Sequence, residues 1–145
     1  MLRPENIARS SSLLFSADVP GEPVPQGRPR VRTRPPGVYY SKRSAAYRDM
    51  LVYYFRAAKK GRKPVCRPCY VGIAVAGLAA DGDLDNVTKQ VLDALVTAGV
   101  IANDSSAIVH AISAWISTRS NDGIGVHVLE LPALGGGGVD GNGRP

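Results

Sequence analysis

The chain is poor in the side chains that bind soft metals or form disulfides. Among its 145 residues there are two cysteines, Cys66 and Cys69, and two histidines, His110 and His127. A structural zinc site needs four such ligands, so the C-x-x-C pair would have to recruit both histidines. We therefore interpret the pair as two small residues that lead into a strand, with a zinc site or a redox role as the alternatives.

Long apolar runs and a secretory signal are also lacking. The longest uncharged, largely apolar stretch, residues 71–80, is about half as long as a membrane span. Near the N-terminus the only apolar cluster is residues 13–15, which is too short for the core of a signal peptide. The sequence thus predicts a cytoplasmic protein without a membrane partner.

Charge is abundant but unevenly placed. The net charge is +6, from 18 basic and 12 acidic residues. Residues 28–63 hold twelve of the basic residues and a single acid, Asp49, whereas residues 81–104 hold five aspartates and one base, Lys89. A basic half next to an acidic patch favours a protein that attracts a polyanion and holds a cation against it. The twelve basic residues are Arg28, Arg30, Arg32, Arg34, Lys42, Arg43, Arg48, Arg56, Lys59, Lys60, Arg62 and Lys63.

Hydrophobic periodicity predicts an α/β domain with a mixed sheet of about five strands and two main helices. A turn signal at Asn121–Gly123 predicts that the last two strands form a hairpin. The domain covers residues 13–131, between a flexible leader over residues 1–12 and a disordered, glycine-rich tail over residues 132–145. The predicted strands cover residues 13–19, 38–40, 69–78, 108–118 and 124–131, and the predicted helices cover residues 42–60 and 86–98.

The segment between the first strand and the first helix alternates prolines with arginines. Proline removes a backbone donor and fixes φ, so the segment is predicted to be an extended arm with exposed arginines rather than a central strand. The first helix is expected to begin after the N-cap Ser41 and the second after Asp85, with Gly99 following its last turn. The candidate DNA-contacting residues are Arg28, Arg30, Arg32, Arg34, Lys42 and Arg43.

Aspartates two residues apart dominate the acidic patch. In extended backbone, side chains two positions apart point the same way, so Asp83 and Asp85 present two carboxylates to one site. Hard cations such as Mg²⁺ bind oxygen ligands of this kind. A calcium-binding EF-hand is excluded, because Asn86 takes the place of the required glycine and Leu92 that of the closing glutamate.

Three more charged side chains lie in the acidic patch. Lys89 follows Asp85 by one helical turn and forms either a surface ion pair or an ammonium group that neutralises charge in the metal site. Asp93 is interpreted as a structural partner of Lys89 or of the backbone, and Asp81 as a solvated turn residue.

An ordered set of motifs carries a family resemblance. The motifs are D-L-D-N-V-T-K-Q-V-L-D-A-L at residues 83–95, A-G-V at residues 98–100, Asn103-Asp104, the proline–arginine arm at residues 23–30, and Tyr47-Arg48-Asp49. In this order they resemble the RusA family of Holliday-junction resolvases over roughly residues 13–131. The first member of the family's acidic pair is an amide here, Asn103, which leaves Asp104 as the matching ligand.

The resemblance implies a Mg²⁺-dependent endonuclease, with Mn²⁺ as the alternative ion, that hydrolyses phosphodiesters in four-way junctions or other branched DNA. It implies Asp83, Asp85 and Asp104 as metal ligands and Lys89 as an electrostatic aid to catalysis. It also implies a role in DNA recombination and repair, often in phages. The other hypotheses are a metal nuclease for flaps and a non-catalytic DNA-binding or regulatory protein whose acidic patch is structural.

The spacing of the three aspartates raises the question of how Asp104 reaches the other two. The second helix carries the chain about 20 Å away from Asp85, and the six residues that follow it are near the limit of extended reach for the return. Either this linker doubles straight back, or Asp104 completes the site of a second subunit. We favour a homodimer, because a four-way junction has two-fold character and needs two symmetric cuts.

Overall fold

The structure is a computed structural model that describes residues 12–27, 30–39, 41–119 and 121–132. Over these residues the strands are β1 (Leu13–Pro20), β2 (Arg30–Thr33), β3 (Pro36–Tyr39), β4 (Cys69–Ala76), β5 (Val109–Ile116) and β6 (Gly123–Glu130), and the helices are α1 (Lys42–Lys59) and α2 (Leu84–Thr97).

Four of these strands form a mixed sheet in the order β1-β6-β4-β5. The apolar strand β4 lies inside the sheet, where all its residues except Ala74 are buried. It pairs antiparallel with β6 and parallel with β5, and α2 forms the crossover between the two parallel strands. Val71 and Ile73 of β4 share one core with the buried faces of both helices. The predicted α/β class, a mixed sheet with two main helices, is confirmed.

The predicted hairpin between β5 and β6 is wrong. β6 instead enters between β1 and β4, so that Ile124 lies opposite Val19 on one side and Val75 on the other. β6 is buried along most of its length, so a neighbouring strand on each side can cover its apolar residues and pair its backbone groups. β5 is largely exposed and lies at the edge, where only one neighbour is needed.

Helix α1 packs an apolar stripe against the sheet. The hydroxyl of the N-cap Ser41 accepts the backbone N–H of Ser44 at 3.2 Å, as the sequence predicts. Tyr47, Leu51 and Phe55 recur at helical spacing and are all buried. Burying side chains of this size stabilises the fold by about 1.5–3 kcal/mol each.

Helix α2 begins two residues earlier than predicted, and its N-cap is Asp83 rather than Asp85. The Asp83 backbone is extended (φ −98°, ψ 113°), and its carboxylate accepts the N–H of Asp85 at 3.0 Å. The earlier start adds Leu84 to the helix, where it packs against the core. Gly99 follows the helix with a φ of +75°, a conformation that glycine adopts without strain, as predicted. The predicted stripe Val87, Val91, Leu95 and Ala98 is fully buried.

The arm between β1 and α1 contains more regular structure than predicted. Strands β2 and β3 pair antiparallel in a separate two-stranded sheet, connected by a turn in which the Arg34–Pro35 peptide bond is cis. Pro36 is the first residue of β3, a position where a missing backbone donor costs little. All residues of both strands are exposed, which confirms an arm outside the main sheet.

Several predictions fall outside the described residues. They are the leader over residues 1–11, the tail from residue 133 onward, and the proposed DNA contact of Arg28. No helix in the described ranges is both long and apolar enough to cross a membrane.

Candidate metal centre and DNA-binding arm

Asp83 and Asp85 lie together at the start of α2, just beyond the end of the buried strand β4. One oxygen of the Asp83 carboxylate accepts the N–H of Asp85, and the other accepts the side-chain amide of Asn86 at 3.2 Å. Asp85 belongs to the first helical turn, so the two carboxylates meet through a helix cap and not through two positions of an extended strand. The positive end of the helix dipole favours negative charge at this position.

The Asp85 carboxylate also pairs with Lys89 at 3.3 Å, one helical turn along. The side chain of Asp85 is 74% exposed and that of Lys89 59% exposed, so water screens the pair and it contributes little to stability. The ion pair nevertheless places the Lys89 ammonium beside the aspartate pair. Asp81 is exposed in the preceding turn, where a solvated residue was predicted.

Asp104 lies at the other end of the domain from Asp83 and Asp85. The residues just before it pair with the segment that leads into β4, since Val65 donates to the carbonyl of Val100 at 2.9 Å and accepts from Ala102 at 3.0 Å. Asp83, in contrast, follows the far end of β4. The intervening helix α2 has 14 residues, which separates its two ends by about 21 Å.

One copy of the chain therefore brings Asp83 and Asp85 together but not Asp104. Within the described ranges, no three histidine, cysteine, aspartate or glutamate side chains are close enough to hold one metal ion. Asn103, the amide beside Asp104, uses its side-chain oxygen to accept the N–H of Ser105 at 3.0 Å.

Asp93 anchors the arm, and the interpretation of Asp93 as a partner of Lys89 or of the backbone is wrong. The Asp93 carboxylate accepts the side-chain amide of Gln26 at 3.2 Å and pairs with Arg48 at 3.5 Å. The backbone N–H of Gln26 also donates to the carbonyl of Asn86 at 3.2 Å. These contacts fix the start of the arm along α2, the helix whose first turn carries the aspartate pair.

A buried polar network supports this anchor. Gln90 is fully buried between the helices, and its amide donates to the carbonyl and hydroxyl oxygens of Ser44 at 2.9 and 3.2 Å. Its side-chain oxygen accepts from Arg48 at 3.2 Å. Sequence reasoning missed both Gln26 and Gln90. For Gln90 the available signal was its position between Val87 and Val91, as a polar side chain on an otherwise apolar stripe.

The cationic side chains of the arm face solvent. Arg30, Arg32 and Arg34 are exposed, and the Arg32 guanidinium lies 5.0 Å from the centre of the Tyr39 ring. Lys42 is exposed at the start of α1, and Arg43 pairs with Glu22 at 3.4 Å in a largely exposed contact. The arm thus presents positive charge to solvent, and its start at Gln26 is hydrogen-bonded to α2.

The cysteine pair leads into a strand, as interpreted. Cys69 is the first residue of β4 and is buried, which raises the pKa of its thiol to about 11. Cys66 is exposed, and both thiols are free. His127 lies on the opposite face of the sheet from the helices, between the rings of Tyr70 and Trp115. These positions give no support to the zinc alternative.

A basic arm that starts on the helix of two exposed carboxylates is typical of a class of protein that binds a polyanion. The family model for the endodeoxyribonuclease RusA matches residues 20–128, which is well over half of the chain. The chain therefore belongs to the RusA family of endodeoxyribonucleases, as its motifs predicted, and this membership supports Holliday-junction endonuclease activity. A search of curated proteins finds no match.

Proposed function

We propose that this protein is a Mg²⁺-dependent endonuclease that resolves Holliday junctions, or related branched DNA, by hydrolysing phosphodiester bonds. The observation that carries the proposal is the double hydrogen bond of Gln26, to Asp93 and to the backbone of Asn86. It fixes the start of the cationic arm on the helix whose N-cap is Asp83 and whose first turn contains Asp85. DNA that binds the arm would therefore pass beside the carboxylates.

The donor set fits a hard divalent cation. Asp83 and Asp85 supply exposed carboxylate oxygens, and Mg²⁺ or Mn²⁺ takes such ligands together with waters and substrate phosphates. We propose Asp83, Asp85 and Asp104 as the residues that hold the ion. When bound, Mg²⁺ supplies Lewis-acid activation of water and stabilises charge at the scissile phosphate. Lys89, held beside Asp85, would place its ammonium where negative charge develops.

The arm residues would bind the sugar–phosphate backbone. Arg30, Arg32 and Arg34 carry exposed guanidinium groups on a hairpin that projects from the domain, and guanidinium groups bind phosphate oxygens in pairs. Binding of this kind releases counterions, so affinity for junction DNA should fall steeply as salt rises.

A symmetric dimer would bring the third carboxylate to the site. β5 is an edge strand with exposed apolar side chains, Ile112 at 45%, Trp115 at 41% and Ile116 at 55%. If two copies met along β5 about a two-fold axis, the strands would run antiparallel, and the start of one β5 would lie beside the end of the other. Asp104, which precedes β5, would then approach the Asp83 and Asp85 end of the second copy.

The test compares a four-way junction, a flap and a linear duplex, each with Mg²⁺, with Mn²⁺ or with EDTA. We expect junction cleavage that requires the ion, and we expect Asp83→Asn to bind the junction with unchanged affinity but to lose cleavage. Asp81→Asn is the matched control, since it removes an exposed carboxylate two residues away and should cut normally. Cleavage in EDTA, or full activity of Asp83→Asn, would contradict the proposal. Binding without cleavage under all conditions would favour the non-catalytic alternative.

A further inference from the structure

A second basic region lies at the opposite end of the domain from the arm. It is a cleft of about 260 Å³ between the start of β1 and the C-terminal ends of α1 and α2. Apolar residues such as Leu13 and Val100 form part of its wall, and no acidic residue of the described chain lines it. Its cationic lining residues are Lys59, Arg62, Lys63 and Arg67, which we call the basic cleft.

Two of these cations are held in place by neutral groups. The Lys59 ammonium donates to the carbonyl oxygen of Gly99 at 3.3 Å, and the Arg62 guanidinium donates to that of Leu14 at 3.2 Å. A carbonyl oxygen orients a cation without cancelling its charge. Of the four, Arg67 has a carboxylate partner in the described chain, Glu130 at 3.0 Å. The cleft therefore keeps most of its positive charge.

The fold separates the basic cleft from the arm. The cleft lies where β1 begins, whereas the arm leaves the domain where β1 ends, so the eight residues of β1 set the two about 26 Å apart. The cleft is on the same side as Val65 and Val100, which pair next to Asp104. In each copy the arm thus starts on the helix that carries Asp83 and Asp85, and the basic cleft lies at the end of the domain that carries Asp104.

We propose that the basic cleft binds the phosphate backbone of a second segment of the branched DNA, a role that rests on the proposed junction substrate. Two guanidinium and two ammonium groups around one concave surface suit phosphate oxygens, and they carry no base-specific information. The arm and the cleft then hold separate stretches of backbone on either side of the acidic residues. Contacts at two ends favour a branched substrate over a linear one.

The test measures the salt dependence of junction binding. Lys63 is exposed and makes no hydrogen bond or ion pair within the described chain, so Lys63→Gln should fold normally. We expect this variant to flatten the slope of log affinity against log salt by about 0.9, the value for one lost phosphate contact, and Arg62→Gln with Lys63→Gln to flatten it by about 1.8.

The control variant is Tyr53→Glu, which lowers the net charge by the same one unit at a side chain 70% exposed on α1, outside the cleft. It should keep the wild-type slope. If Lys63→Gln behaved like this control, the cleft proposal would be overturned, whether or not the protein cuts junctions. If the slope flattened as expected while Mg²⁺ produced no cleavage, the cleft would stand and the proposed catalytic function would fail.

Discussion

Mixing two inactive variants tests whether one metal site is built from two copies of the chain. The variants are Asp83→Asn and Asp104→Asn, each of which removes one proposed ligand. Ligands of a single Mg²⁺ lie within about 4 Å of one another, since each oxygen is about 2.1 Å from the ion. In one copy a helix about 21 Å long lies between the two aspartates, and no three metal-binding side chains of the described residues come together. Neither variant should therefore contain an intact site by itself.

The expected recovery follows from the symmetry of a two-fold dimer. After equal mixing and exchange, about half of the dimers carry one variant of each kind. Such a mixed dimer has one site with both ligands removed and one site with both Asp83 and Asp104 intact. The mixture should therefore regain about a quarter of the wild-type number of sites. A site contained in one chain would regain none.

The assay uses a supercoiled plasmid that extrudes a four-way junction. Each mixed dimer has one working site, so it should nick the plasmid but not convert it to the linear form, which needs two cuts. Exchange of subunits is monitored with fluorescent labels. If labelled chains exchange fully and the mixture still cuts nothing, or if Asp104→Asn alone keeps full activity, the shared site is refuted.

Two further predictions concern the arm and the sheet. Gln26→Glu would set a carboxylate against Asp93 and release the arm, so junction affinity should fall about fivefold, the equivalent of one hydrogen bond worth about 1 kcal/mol. Adding Asp93→Asn restores a hydrogen-bond donor to the pair, so the double variant should regain junction affinity. If the double variant bound the junction no better than Gln26→Glu, the contact would not position the arm. Gly72→Ala would push a methyl group into the imidazole ring of His127 and should lower the free energy of unfolding by about 1–3 kcal/mol in a denaturant titration. In a His127→Ala background, Gly72→Ala should lower the free energy of unfolding by much less. An equal loss in that background would show that the overlap with the imidazole ring is not the cause.

The parts of the fold that depend on neighbouring residues could be predicted from the sequence. The buried stripes of α1 and α2 follow from apolar side chains at helical spacing, and the predicted bounds of both helices agree with the observed ones to within two residues. The sequence predicts Asp85 as the N-cap instead of Asp83, because both positions offer a suitable carboxylate. Packing of Leu84 against the core favours the earlier start. This core includes residues distant in the chain, so the residues around the N-cap do not predict the contact.

The sequence by itself determined the family, the types of the main elements and the presence of both a carboxylate pair and a cationic arm. These features depend on short motifs and on hydrophobic periodicity, because the local backbone geometry fixes which neighbouring side chains point the same way. Only the tertiary structure decided that β6 lies between β1 and β4, that Gln26 donates to Asp93 across 67 positions of the chain, and that Asp104 lies a helix length from Asp83. These outcomes depend on which distant surfaces bury each other best, a competition among whole elements that spacing along the chain does not encode.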